Sequence, residues 1–341
     1  MVTIALDAMG GDFGVEQPVK GAAALSLEDV ALQVLLVGDA EAIAAALDQV
    51  PHDPSRLQIV GSKGCVPMDA NPGTALSEMP QCSIIRALDL VASREADAVV
   101  SAGHTGATIL ASAKALKRME GIRRAALASV YPTERRHGPR RDPFGLMLDV
   151  GATLDASPED LVGFAVMGSA YSSIISEIEA PRVALLSNGT EPNKGTRNIR
   201  AAYGHLQATE LNFIGNIEGI DIPRGTADVV VCDGFLGNIV LKMLEGVGEV
   251  FADLARSASD RKLSWRIGMT MLSGGLREIR KMTDWKAYGG APLLGMDQVV
   301  IKAHGRSEAR AIRNACKVAA KSVKGDLIGR IASGMDDARS P

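Results

Sequence analysis

No stretch of this sequence reaches 18 consecutive apolar residues, so nothing in it reads as a membrane-spanning helix. The four cysteines (Cys65, Cys82, Cys232 and Cys316) are scattered and form no C-x-x-C pair. They read as reduced thiols of a cytosolic protein rather than as a disulfide or redox framework. The five His residues make no H-E-x-x-H or other metal spacing, so neither metal nor cofactor is expected. A G-x-S-x-G turn is missing, as is any Gly-Lys-Ser/Thr phosphate loop, so neither a serine hydrolase nor a Walker-type site is indicated. Charge is close to balanced at −3, which leaves no basic field for nucleic acid. The first residues, Met1 to Asp7, read as a strand without the basic and cleavage features of a leader, and the expected location is cytoplasmic.

What is abundant is glycine, 36 of 341 residues, while aromatics make up only 4%. Glycine lets backbone N–H groups approach a small anion closely, although many tight turns would use it equally well. Short β-branched runs alternate with Ala-rich helical stretches. Strands are expected at Val2–Leu6, Leu32–Val37, Leu57–Val60, Ala98–Ser101, Ala126–Val130, Leu146–Val150, Arg182–Leu186, Asn212–Ile214, Ala227–Cys232 and Gln298–Lys302. Helices are expected between them, for example at Ala40–Leu47, Ala107–Lys117 and Asn193–His205. The pattern predicts an α/β fold with a mainly parallel sheet covered by helices on both faces. Residues 1–332 read as one catalytic unit of one or two lobes, with a helical hairpin at 241–282 and a flexible tail at 333–341. The basic, Pro-rich segment Pro132–Pro143 reads as a turn-rich insertion.

In open α/β sheets ligands bind beyond the carboxyl ends of the strands. Polar, Gly-rich loops recur at that place. Gly10, Gly11 and Asp12 follow the first strand, and Ser101, Gly103, His104, Thr105 and Gly106 close the fourth. The second loop opens a helix, whose N–H groups and dipole favour an anion, though Thr105 can equally be a plain cap. Lys194 sits in a Gly-rich loop, as a phosphate counter-charge or as a solvated lysine. Asp233 and Asn238 flank Gly234 and Gly237, and there Asp233 is either a reactive carboxylate or a helix cap. Lys302 and His304 end the last strand, with His304 open to a structural role as well.

Read together and in order, Ile4-Ala5-Leu6-Asp7-Ala8-Met9-Gly10-Gly11-Asp12, Ser101-Ala102-Gly103-x-Thr105-Gly106-Ala107, Leu148-Asp149-Val150-Gly151-Ala152, Gly189-Thr190-Glu191-x-x-Lys194-Gly195, Gly215-Asn216-Ile217-Glu218-Gly219, Asp233-Gly234-Phe235-x-Gly237-Asn238, Tyr288-Gly289-Gly290-Ala291-Pro292-Leu293-Leu294-Gly295 and Lys302-Ala303-His304-Gly305 resemble the acyl-ACP:phosphate acyltransferase family. The resemblance implies a dimeric α/β/α sandwich related to phosphotransacetylases and the isocitrate dehydrogenase group. It implies that acyl carrier protein delivers the acyl group and inorganic phosphate accepts it, without a covalent acyl-enzyme. Positive charge would come from the Gly103–Gly106 helix start and Lys194. Asn238 or backbone N–H groups would bind the oxyanion, Asp233 would orient phosphate or a bound water or accept its proton, and Lys302 and His304 would serve the leaving thiolate. Three positions depart from the family pattern: His104 and Thr153 stand where Asn is usual, and Ile220 where Arg is common. A phosphotransacetylase using acyl-CoA, a nicotinamide-dependent dehydrogenase of similar fold and a non-catalytic membrane scaffold remain as alternatives.

The stretch 241–282 places apolar Leu263, Trp265 and Ile267 among basic residues including Arg261, Lys262 and Arg266. It reads either as dimer packing or as contact with a peripheral anionic membrane surface, and the family's reputation favours including the latter. The Arg pairs at 123–124, 135–136 and 140–141 are candidate contacts for an acidic carrier protein.

Overall fold

The computed structural model describes residues 1–139, 141–261, 263–282 and 288–339. Predominantly apolar runs form central strands buried on both faces. Three of them, β1 (Val2–Asp7), β4 (Ala98–Ser101) and β12 (Val299–Lys302), lie side by side. They form the middle of a seven-stranded sheet that continues on one side through β2 (Leu32–Gly38) to β3 (Leu57–Gly61). On the other side lie β11 (Ala291–Leu294) and β5 (Ala126–Leu127). Only β11 runs antiparallel to its neighbours. A second, five-stranded sheet has the order β6 (Ser129–His137), β7 (Asp142–Leu148), β10 (Val229–Val231), β8 (Val183–Leu186) and β9 (Phe213–Ile217), with only β6 antiparallel. The mainly parallel α/β fold is therefore present, divided between two sheets. One apolar cluster runs from Ile4 and Val100 through Phe164 and Tyr171 of α6 (Pro158–Ile175) to Val183 and Val229, joining both sheets.

Four segments differ from the sequence reading. The strand expected at Ala126–Val130 breaks at Ala128: Leu127 pairs in the first sheet, and Ser129 opens β6 in the second. β11 contains Pro292 and is flanked by Gly290 and Gly295, turn signals that hide it, yet Pro292 sits opposite Ile301 in an antiparallel pair. Most of Pro132–Pro143 is not an insertion but a β6–β7 hairpin. Its polar residues are satisfied internally: the buried His137 contacts Thr133 Oγ1 at 2.9 Å and Asp228 Oδ1 at 2.5 Å, and Arg182 donates to the same carboxylate at 2.9 Å. Finally, α12 (Leu327–Asp337) runs past residue 333, because Met335 is buried against the core.

The hairpin region is two long helices, α9 (Gly234–Arg261) and α10 (Leu263–Met282), which pack on each other. α9 exposes Phe235, Ile239, Met243, Val247, Val250 and Leu254 at three- and four-residue spacing, one continuous stripe. Trp265 and Ile267 of α10 are exposed as well. Arg140, Lys262 and the side chains of Arg261, Leu263 and Arg266 lie outside the described residues.

Candidate active site

β1, β4 and β12 are parallel and in register, with Asp7 opposite Ser101 and Ser101 opposite Lys302. Residues in register share a face, so three polar side chains form a row at the carboxyl end of the sheet. All three are buried. Ser101 Oγ donates to Asp7 Oδ2 at 2.6 Å and accepts from the Gly103 N–H at 3.0 Å. Asp7 Oδ1 accepts from the N–H groups of Met9 and Gly10 at 3.2 and 3.1 Å. A Cβ at Gly10 would stand 2.6 Å from the Gly103 nitrogen, which is why no side chain is tolerated there. The Asp12 N–H donates to the Gly305 carbonyl at 2.8 Å, tying the first loop to the last.

His104 caps α5 (Thr105–Ala115): its Nδ1 accepts from the Ala107 N–H at 3.1 Å. This is the capping bond an Asn would make, so that departure keeps the local structure. Thr153 is also accommodated, its hydroxyl donating to the Ala125 carbonyl at 3.0 Å. Ile220 is exposed.

Between the loops of the first sheet and the start of α9 lies a cavity of about 280 Å³. Asp12, Thr105, Asn238, Lys302 and His304 all line it, so five of the sequence candidates meet there. Met68, Leu127, Val130, Val150, Leu241 and Ala291 make much of the remaining wall. Lys302 is only 6% exposed. Burial pulls its ammonium down to about 8, while Asp7 and Asp12 act in the opposite direction. Its Nζ donates to the Ala303 carbonyl. His304 is exposed at the rim, and its Nδ1 accepts from the Arg306 N–H at 3.1 Å.

The other candidates fall elsewhere. Gly10, Gly11, Ser101, Gly103 and Gly106 lie outside the cavity lining and shape the loops that form it. Asp233 caps α9, accepting from the Leu236 N–H at 2.8 Å. Lys194 is exposed and does not line the cavity. The helix expected from Asn193 begins only at Arg197, because Gly195 adopts φ +92° and Thr196 is the cap. Lys194 therefore belongs to the loop after β8 and not to a helix start.

Two buried acids stand in the family motifs without any role that the sequence assigns them. Asp7 carried one signal, an acid directly before the Gly10–Gly11 turn. Asp149, wholly buried, accepts N–H groups of Leu127, Gly151 and Ala152 at 2.8, 3.2 and 3.1 Å, and also that of Thr153. Burial pushes its carboxyl up, against those four bonds. The bond to Leu127 links the second sheet to the first. A Cβ at Gly237 would lie 1.9 Å from the Asp149 carbonyl, and one at Gly234 would lie 2.4 Å from its Oδ2. Both glycines let α9 start against Asp149, and that contact delivers Asn238 to the cavity.

Among the described residues no cluster of three or more His, Cys, Asp or Glu is arranged to hold a metal, and no helix is long and apolar enough to cross a membrane.

Residues 2–330 match the family described as fatty acid synthesis protein. The chain is 41% identical to the phosphate acyltransferase of Desulforudis audaxviator, over 98% of this chain and 97% of that one. It is 44% identical to the phosphate acyltransferase of Desulfitobacterium hafniense, over 97% and 96%. In fold it is similar to a phosphotransacetylase from Streptococcus pyogenes, with a TM-score of 0.66 at 19% identity, covering 95% of this chain and 94% of that one.

Proposed function

This chain belongs to the fatty acid synthesis protein family, and from that premise we propose that it transfers a fatty acyl group from acyl carrier protein to inorganic phosphate, forming acyl phosphate. The observation that carries the chemistry is Lys302, a buried cation in a cavity with largely apolar walls. Such a cavity takes an acyl thioester and concentrates one positive charge where a dianion must enter.

In this reading a phosphate oxygen attacks the thioester carbonyl, a C–O bond forms and the C–S bond breaks. The hydrogen of hydrogen phosphate ends on the carrier thiol, so charge and protons balance. Lys302 neutralises phosphate and relays that proton, with His304 as a second donor at the rim. Thr105 and the start of α5 hold phosphate oxygens, and Asp12 accepts the phosphate hydroxyl. The Asn238 amide donates to the oxyanion, a contribution whose removal typically costs about 100- to 1000-fold in rate. Asp233, by capping α9, aims Asn238. Lys194, outside the cavity, serves the approach of anionic substrate.

The exposed apolar stripe of α9 supports pairing with a second copy of the chain, and Trp265 and Ile267 support contact with an anionic membrane surface. Exposed Arg123 and Arg124 favour an acidic carrier protein. Light scattering of the purified chain tests the dimer, and co-sedimentation with anionic and neutral vesicles tests the membrane contact. The function itself is tested by thiol release from acyl carrier protein thioester. Release should require phosphate and yield acyl phosphate. Release without phosphate, or a clear preference for acyl-CoA at equal concentration, would overturn the assignment.

A further inference from the structure

We propose that Asp7 is a positioning residue of this site: its buried carboxylate locks the Gly10–Gly11 turn to the Ser101–Gly103 turn and places an acid in the same strand-end row as Lys302. The inference rests on the acyl-transfer reading of the cavity and adds a residue that does not line it.

The geometry is specific. Asp7 is 2% exposed, and both its oxygens are used within the first two loops. The bond chain Gly10 N–H to Asp7 to Ser101 to Gly103 N–H leaves no solvent-facing partner, so the two turns move as one body. The same strand register that sets Asp7 beside Ser101 sets Ser101 beside Lys302. A carboxylate spent only on fastening turns could be replaced by any neutral acceptor. This one also opposes the burial of the lysine, which otherwise favours loss of its proton. The other charged groups around Lys302 are distributed over every neighbouring element. Asp12 follows β1, and its Oδ2 stands 3.8 Å from Arg306 Nε. His304 follows β12. Lys242 and Glu245 face the cavity from α9 and pair with each other at 2.7 Å. The thiols Cys65 and Cys82 lie near Asp7, and burial pushes both up, so they stay neutral beside it. Asp7 is thus the buried acid in direct register with the lysine's row, while Asp12 is exposed and shared with an arginine.

Two substitutions separate the two duties. Asp7→Asn keeps the shape and two of the accepted bonds but removes the charge. Ser101→Ala keeps the charge but cuts the bridge between the turns. The readout independent of turnover is a 13C-lysine NMR titration of Lys302 in the full chain, assigned by the spectrum of Lys302→Arg. In Asp7→Asn the Lys302 midpoint should fall by about one pH unit, and the alkaline limb of kcat should move with it. In Ser101→Ala the midpoint should stay, while KM for phosphate rises severalfold. An unmoved midpoint in folded Asp7→Asn overturns the electrostatic duty, and an unchanged KM in Ser101→Ala overturns the clamp. If the midpoint moves as expected but the wild type releases no thiol with phosphate, the failure lies in the acyl-transfer reading, and the role of Asp7 in transfer falls with it.

Discussion

Replacing Lys302 with Met should make the protein more stable and nearly inactive at once. The ammonium is held at about 8 in the folded chain. An unfolded lysine titrates near 10.4, so the difference of roughly 2.4 units corresponds to a folding cost of about 3 kcal/mol for the charged form. The unfolded state binds more protons than the folded one between the two values. Stability of the wild type therefore rises with pH across that window, and the cost is fully present below about 8. Met fills similar volume without a charge to desolvate, and it gives up the bond to the Ala303 carbonyl; the attraction of Asp7 and Asp12 is already contained in the lowered value. A net gain of about 2 kcal/mol at pH 7 is expected. For 341 residues the unfolding entropy makes that a rise of roughly 3 °C in Tm. The gap should close as pH rises from 8 towards 10.5, since the wild-type lysine then becomes neutral in the fold. Calorimetric melts at pH 7 and pH 10, beside phosphate-dependent thiol release, check both halves. A variant that melts below wild type at pH 7, or one that keeps its turnover, would refute the reasoning.

Other substitutions test the remaining parts of the site. Asn238→Ala should lower kcat by about 100-fold or more with little change in KM, since the oxyanion exists only in the transition state; a pure rise in KM would assign the amide to ground-state binding. Lys194→Ala should cost less turnover than Lys302→Met, and the reverse order in steady-state assays would move the reaction to the loop after β8. Gly237→Ala should destabilise by about 1–3 kcal/mol in denaturant titrations, because its Cβ would stand 1.9 Å from the Asp149 carbonyl and α9 must shift. Asp228 is buried, which alone would raise its carboxyl, but His137 and Arg182 hold it well below the usual carboxylate range. Its contribution is present above the ordinary carboxylate value and lost as pH falls through the depressed one. Asp228→Asn should therefore melt below wild type at pH 7, with the gap narrowing in acid; a gap that widens in acid would show the pair is not ionic.

The sequence by itself determined what local chemistry can dictate. Val99-Val100 and Val229-Val230-Val231 have no polar face, so they must be central strands, and glycine with polar residues after such strands marks the ligand edge. The loops holding Gly10, Thr105, Asn238 and Lys302 were legible on that ground. Only tertiary structure decided which of them meet. Lys194 and Lys302 carry equal local signals, yet one is solvated and the other is buried in the cavity, a difference set by strand order and not by neighbours in sequence. The break at Ala128 could not be read either, because Leu127 and Ser129 are equally fit for a strand and the switch between sheets depends on Asp149, 22 residues away, taking the Leu127 N–H. The roles of Asp7 and Asp149 stayed hidden for the same reason. A carboxylate's role depends on which donors surround it, and the decisive ones come from afar: the Leu127 N–H reaches Asp149 from 22 residues away and the Ser101 hydroxyl reaches Asp7 from 94. Burial of charge is a property of the assembled sheets, and it is burial that sets Lys302, 6% exposed at the cavity wall, apart from an ordinary strand-end cation.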